Sequence, residues 1–251
     1  MKFKTILALF INSLWMSNAV ANPLQNSLDG PIKANLNLYV FAADISGDIG
    51  AGPITYDVDQ SFSDTLEHLD KSYMGHFDLS KGKWGAYVDY QSVQTSQKQS
   101  VLQLPVALST DLDQTSFGVY YQAYTSDKST KNGYSKFIVE PTIGVHHTKA
   151  AANLSALGKN IDLNKSWNEI FWGSRFKYNF ESPFNLASEI TFGQEGTISA
   201  QTYLGYRLGF FDRDFNLRMG YRYLEQDYRS DNFHWKVKEY GPVIGLNLPL
   251  F

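Results

Sequence analysis

Apolar and polar residues alternate with period two through most of the chain. Near the C-terminus Phe215, Leu217, Met219, Tyr221 and Tyr223 share one face, and Asn216, Arg218, Gly220 and Arg222 share the other. The same alternation sets Thr202, Leu204, Tyr206 and Leu208 against Gln201, Tyr203, Gly205 and Arg207, and Ile170, Trp172, Ser174, Phe176 and Tyr178 against Glu169, Phe171, Gly173, Arg175 and Lys177. Alternation sustained over such lengths is the pattern of half-buried strands. It predicts about ten of them, at 32–44, 68–79, 83–95, 108–125, 134–148, 165–180, 184–194, 198–209, 214–228 and 234–250. The connections after the even-numbered strands are mostly tight and rich in turn residues, such as Ser80-Lys81-Gly82 and Glu181-Ser182-Pro183. Those at the other end are longer on average, at 45–67, 96–107 and 149–164, with two short ones at 195–197 and 229–233.

The first segment stands outside this pattern. Lys2 and Lys4 precede a short apolar stretch, and Ala19-Val20-Ala21 gives the small-x-small motif of a secretory leader. Residues 1–21 are therefore expected to be a cleaved signal peptide, and 22–251 a single domain. No later apolar run approaches the length of a transmembrane helix. The chain has no cysteine, which excludes disulfide scaffolds, thiolate metal sites and cysteine nucleophiles. A net charge of −3 argues against a nucleic-acid partner. The 16 Tyr, 17 Phe and 19 Gly fit β structure rather than helix.

An even number of strands, with short turns at one end and long loops at the other, predicts an all-β, closed antiparallel transmembrane barrel. Ten strands fit best, with eight or twelve as the neighbouring even solutions. Closure is required because lipid offers no partner to an open sheet edge. The apolar face then looks at lipid. Asp78, Asp89, Glu140, Glu189, Arg175, Lys177, Arg207, Arg218 and Arg222 look inward, where acids and bases can pair. Gly85, Gly118, Gly144, Gly173, Gly193, Gly205, Gly220 and Gly245 share the inward face, making room for long side chains of neighbouring strands. Trp84, Phe180, Phe184, Phe210, Phe211 and Phe215 beside the short turns read as an interfacial girdle. A secreted β-sandwich would carry fewer inward glycines and fewer aromatics at its turns.

The leader, the alternating strands, the girdle and the terminal Phe251 resemble bacterial outer-membrane β-barrel proteins. More narrowly, the chain resembles an uncharacterised group of small barrels of about this length. The matching residues are Val58-Asp59-Gln60-Ser61-Phe62-Ser63-Asp64 with Leu69-Asp70, Lys83-Trp84-Gly85, Gly220-Tyr221-Arg222-Tyr223-Leu224 with Asp227-Tyr228, and Gly241-Pro242. The resemblance implies location in the cell outer membrane, contact with its lipid and lipopolysaccharide, and insertion by the barrel assembly machinery. Phe251 stands one step out of the lipid-facing register of Ile244, Leu246, Leu248 and Leu250, and Pro249 removes a ladder donor. The last strand is therefore expected to end in a bulge or to fray.

Two regions are candidates for function. Ser61, Phe62, Ser63, Asp64, Leu66 and Leu69 predict a short capped helix in the first outer loop, with Ser61 or Ser63 at the N-cap. It could act as a cap over the barrel mouth. A calcium loop started at Asp57 fails, with Phe62 at the required glycine and His68 at the bidentate glutamate. The second candidate is the inward charge set. Near ten strands the interior is only slightly wider than side chains can fill, which favours a structural network. A narrow pore is the alternative, with arginines facing Asp78 and Asp89 across the lumen. No metal or cofactor is expected. An enzyme acting on lipid or peptide is the third reading, with only Asp57 and Asp59 resembling a catalytic acid pair and Ser174 with His146 a poor couple. The expected function is a non-catalytic outer-membrane barrel with a structural or surface-interaction role.

Overall fold

The computed structural model describes residues 27–51, 54–101, 104–156, 159–210, 213–230 and 232–250. The expected leader and the terminal Phe251 lie outside these residues. The strands are β1 (Ile32–Phe41), β2 (Asp44–Ala51), β3 (Ile54–Gln60), β4 (Leu69–Lys81), β5 (Trp84–Val101), β6 (Leu104–Tyr121), β7 (Tyr124–Thr125), β8 (Phe137–Ala156), β9 (Lys159–Asn179), β10 (Phe184–Gly193), β11 (Ile198–Phe210), β12 (Arg213–Ser230) and β13 (Phe233–Pro249). One helix, α1 (Phe62–Glu67), separates β3 from β4.

Ten of these strands close a barrel in the order β1-β4-β5-β6-β8-β9-β10-β11-β12-β13, sealed by β13 pairing back to β1. Every pairing is antiparallel. The expected strand number and closure are thus observed. The seam is complete at the C-terminus. The β1–β13 register runs unbroken from Phe41–Val243 to Asn35–Pro249, and the Leu250 amide donates to the Ala34 carbonyl at 2.8 Å. The expected bulge is absent, because Pro249 occupies the last ladder position and its neighbour supplies the next bond.

The outer end departs from the expected loops. Segments 96–107 and 149–164 belong mainly to hairpins β5–β6 and β8–β9, whose ladders extend to Val101–Leu104 and Ala156–Lys159. Segment 45–67 holds hairpin β2–β3 and the helix. β2 continues the path of β1 along β13, pairing Asp44–Tyr240 through Ala51–Phe233, and the Ala42 amide bonds Pro242 at the bend. The β1–β4 ladder stops at Leu38–Gly75, above which the Phe41 amide meets the Met74 sulfur at 3.2 Å.

The lipid-facing belt follows from alternation. Phe77, Val88, Phe117, Ile143, Trp172, Leu186, Leu204, Met219 and Ile244 point outward and are exposed. From Phe215 to Tyr223 the strand advances about 26 Å at roughly 3.3 Å per residue, a height of about 20 Å at the usual tilt. Paired rings line its lower rim, with Trp84–Tyr121 at 4.9 Å, Tyr178–Phe180 at 4.9 Å and Phe184–Tyr206 at 5.0 Å. Phe211 and the side chain of Phe210 lie outside what the structure describes.

On β13 the alternation reverses phase above this belt. Leu246, Ile244, Pro242 and Tyr240 face out along the belt, but Lys238, Lys236 and His234 follow them outward while Val237, Trp235 and Phe233 are buried inside. The outer part of the barrel is therefore built like a water-soluble sheet, apolar within and polar without.

Candidate functional site

Four storeys of side chains occupy the lumen. The innermost is a polar cavity of about 630 Å³, reached from the short-turn end, whose wall includes Asn35, Asn37, Asn179, Asn185, Asn216 and Asn247. Asn185 and Asn216 exchange reciprocal amide bonds of 3.2 and 3.0 Å. They meet over Gly205, where an added Cβ would lie 2.5 Å from the Asn185 oxygen.

The second storey is the charge network. Arg175 reaches from β9 to Asp78 on β4 at 2.9 Å, and its Nε lies 3.5 Å from Glu140 and 3.8 Å from Glu189. Lys177 donates to Glu140 at 3.1 Å, and the Tyr120 hydroxyl donates to Asp78 at 2.8 Å. The Arg175 guanidinium lies 4.0 Å from the centre of the Tyr120 ring. A second cluster centres on Asp89, which accepts from Tyr39 at 2.8 Å and faces His76 at 3.1 Å and Arg222 at 3.6 Å. Arg222 also donates to the Tyr39 hydroxyl at 3.0 Å. Seven of the nine inward charges named from sequence meet in these two clusters. Arg207 and Arg218 stand apart, facing the cavity. Because Arg175 and Arg222 bind the acids directly, the two opposed charged walls of a pore do not form.

The third storey is neutral apart from Glu239. Gln114 donates to Glu239 at 2.8 Å and to Gln226 at 3.2 Å, Gln91 donates to Glu239 at 3.2 Å, and Gln226 donates to Thr148 at 2.9 Å. These bonds join β5, β6 and β8 to β12 and β13 through the lumen. All five side chains are buried.

The fourth is an aromatic plug. Trp167 stacks on Tyr228 with centroids 4.6 Å apart and 6° between planes, and lies 5.7 Å from Trp235. Phe233, Val237 and Ala150 complete the buried group, and Ile45, Ile49, Leu112 and Leu163 pack around it. The sequence reading missed this storey. Its signal was present in Phe233-x-Trp235-x-Val237, which is apolar on the opposite parity from Ile244-x-Leu246.

The inward glycines accommodate neighbours in two ways. Tyr120 fills the space over Gly85 and Tyr87 that over Gly118, while the Phe117 carbonyl and the Phe171 ring both crowd Gly144. At Gly173 and Gly220 the close neighbour is instead a backbone carbonyl. Helix α1 is capped by Ser61, which accepts from the Asp64 amide at 3.3 Å, while Asp64 accepts from the Ser61 amide at 3.1 Å. The Phe62 amide donates to Asp44 at 2.7 Å. The helix buries none of its residues, with Phe62 and Leu66 exposed. The Ser61 hydroxyl holds the Asp64 carboxyl below its ordinary range. The cap is therefore present above the ordinary carboxylate value and is lost as pH falls through the lowered one. We expect the protection factor of the Thr65 amide, its exchange rate set against the unstructured rate at the same pH, to fall at acid pH, and Asp64→Asn to remove that fall. An unchanged profile in Asp64→Asn contradicts this account.

Among the described residues no three His, Cys, Asp or Glu side chains gather as a metal site. His146 bonds Ser116 at 2.6 Å and stacks on Phe171, in the interior and away from Ser174. Asp57 and Asp59 lie on β3 opposite Asp48 and Ser46. No catalytic constellation assembles among these residues.

No family model matches the chain, and no curated protein does. Among solved structures, Ail, the attachment invasion locus protein of Yersinia pestis, is similar at 12% identity over 88% of this chain and 99% of that one, with a TM-score of 0.38. CdiB from Acinetobacter baumannii is similar at 15% identity over 80% of this chain and 40% of that one, with a TM-score of 0.42. The toluene transporter TodX of Pseudomonas putida is similar at 11% identity over 92% of both chains, with a TM-score of 0.23. These likenesses are remote, and the fold rests on the strand closure and the apolar belt. A closed barrel with a lipid-facing belt of this height is an outer-membrane barrel.

Proposed function

We propose that the chain is exported by residues 1–21, which are cleaved, and that residues 22–251 form a non-catalytic outer-membrane barrel with a blocked lumen and a structural or surface-interaction role. The observation that carries this reading is the third storey, where Gln91, Gln114, Gln226 and Glu239 are hydrogen-bonded together at the centre of the barrel and buried. Above it the aromatic plug leaves an apolar obstacle to ions. The long hairpins β5–β6 and β8–β9 then present their tips outside the cell, where partners are met. Lys236 and Lys238 on the outward face above the belt suit lipopolysaccharide phosphates, and the assembly machinery would insert the chain.

The test is electrical. Refolded protein, shown to be folded by its heat-modifiable gel mobility, is expected to give no unitary conductance steps in a planar bilayer. Reproducible steps whose ion selectivity changes in Arg222→Gln would replace this reading with a narrow channel for small charged solutes.

A further inference from the structure

The charge network holds four carboxylates, and each is met by a cation. Arg175 serves Asp78, Glu140 and Glu189, Lys177 serves Glu140, and Arg222 with His76 serves Asp89. Arg207 and Arg218 also line the cavity, and among the described residues neither has a carboxylate within 4.0 Å. Asp214 at the mouth is engaged by the Tyr134 hydroxyl. Arg218 donates to the neutral amide of Asn37 at 2.9 Å, and its Nε is buried with no hydrogen-bond partner. A half-buried guanidinium whose Nε is unpartnered and whose one hydrogen bond goes to a neutral amide would gain charge-assisted hydrogen bonds from a bound anion.

The placement supports a joint site. On the β11–β12 ladder Gly205 faces Arg218 and Asn216 faces Arg207, so the two arginines are diagonal neighbours on one wall. Arg207 is braced by Asn179 and lies 4.0 Å over the Tyr134 ring. The amides of Asn35, Asn37 and Asn247 offer further donors on the wall of the same cavity. Asp78, Asp89 and Arg175 of the charge network line the inner end of that cavity.

We propose that the cavity is a binding site for a small oxyanion, a carboxylate or a phosphate, held between Arg218 and Arg207 and supplied from the periplasm. Only the compartment rests on the functional reading above. The binding itself is independent of it.

The experiment is calorimetric titration of the refolded protein in detergent micelles with sodium succinate, sodium phosphate and, as control, sodium chloride. Saturable binding of succinate or phosphate is expected, with chloride silent at the same ionic strength. Arg218→Gln should weaken it at least tenfold. Arg207→Gln, at the mouth and less embedded, should weaken it severalfold and guards against a folding defect in the first variant. Succinate binding more tightly would identify carboxylates as the ligand class, and phosphate binding more tightly would identify phosphate monoesters. Equal heats for all three salts, or unchanged affinity in both folded variants, would overturn the proposal while leaving the blocked barrel intact.

Discussion

Arg175→Met is expected to lower the unfolding free energy by about 3–5 kcal/mol, the range for breaking a buried ion pair from one side. The arginine is the shared partner of Asp78, Glu140 and Glu189, and its side chain is only 11% exposed. Its removal leaves Glu140 with Lys177, Asp78 with the Tyr120 hydroxyl, and Glu189 with an amide donor at 3.4 Å from Gln201. Arg175→Lys keeps the charge but not the planar fork that spans Asp78 and Glu140 together, so it should recover only part of the loss. Urea unfolding in detergent micelles measures both. Pairing Arg175→Met with Asp78→Asn should cost less than the sum of the two single changes, since the second relieves the uncompensated carboxylate. Additive losses would show that Arg175 acts by its packing over Tyr120 and not through charge.

The second large effect is steric. A Cβ on Gly173 would stand 2.0 Å from the Ile190 carbonyl oxygen and 2.7 Å from the Thr191 Cα. Those are backbone atoms of β10, paired across the same ladder. Neither can rotate away, so β9 and β10 must separate. Gly173→Ala should therefore cost about 3 kcal/mol, the upper part of the usual range for overpacking, and Gly173→Val should fail to reach the heat-modifiable folded form. Gly75→Ala is the control, because its nearest atom would be the Asn37 oxygen at an ordinary 3.6 Å. Equal urea midpoints for the Gly75 and Gly173 alanine variants would contradict the argument.

The membrane-spanning part of the barrel is written plainly in the sequence because lipid enforces parity. An outward arginine or an inward leucine run at mid-depth would be costly, so the faces of β9 to β12 can be read directly from Ile170 to Tyr223. Outside the lipid that rule lapses. The hairpin segment Ser96 to Ser100 is polar at four positions in succession after the serine, Gln97, Lys98 and Gln99 among them, and carries no period to read. Ladder hydrogen bonds alone make it strand. The charge network was legible by residue type and parity, because Asp78, Glu140 and Arg175 sit on inward positions. Which acid meets which base was not, since Asp78 and Arg175 lie 97 residues apart and join only through closure. The separation of Arg207 and Arg218 from that network likewise appears only when the cross-lumen partners are known.

The reversal of parity on β13 has a mechanical consequence for the bilayer. Were the barrel to sink by one residue pair, about 6.6 Å along the strand, Lys238 would be drawn toward hydrocarbon and Lys236 would follow. Such a move costs up to about 2–4 kcal/mol per lysine with depth. Were it to rise, Tyr221 and Tyr223 at the upper edge of the belt would leave the lipid for water. The molecule thus has a fixed waterline, with no neutral band of surface along which to slide. A membrane of different thickness must stretch or thin around it, so the barrel imposes its own height on the lipids that touch it.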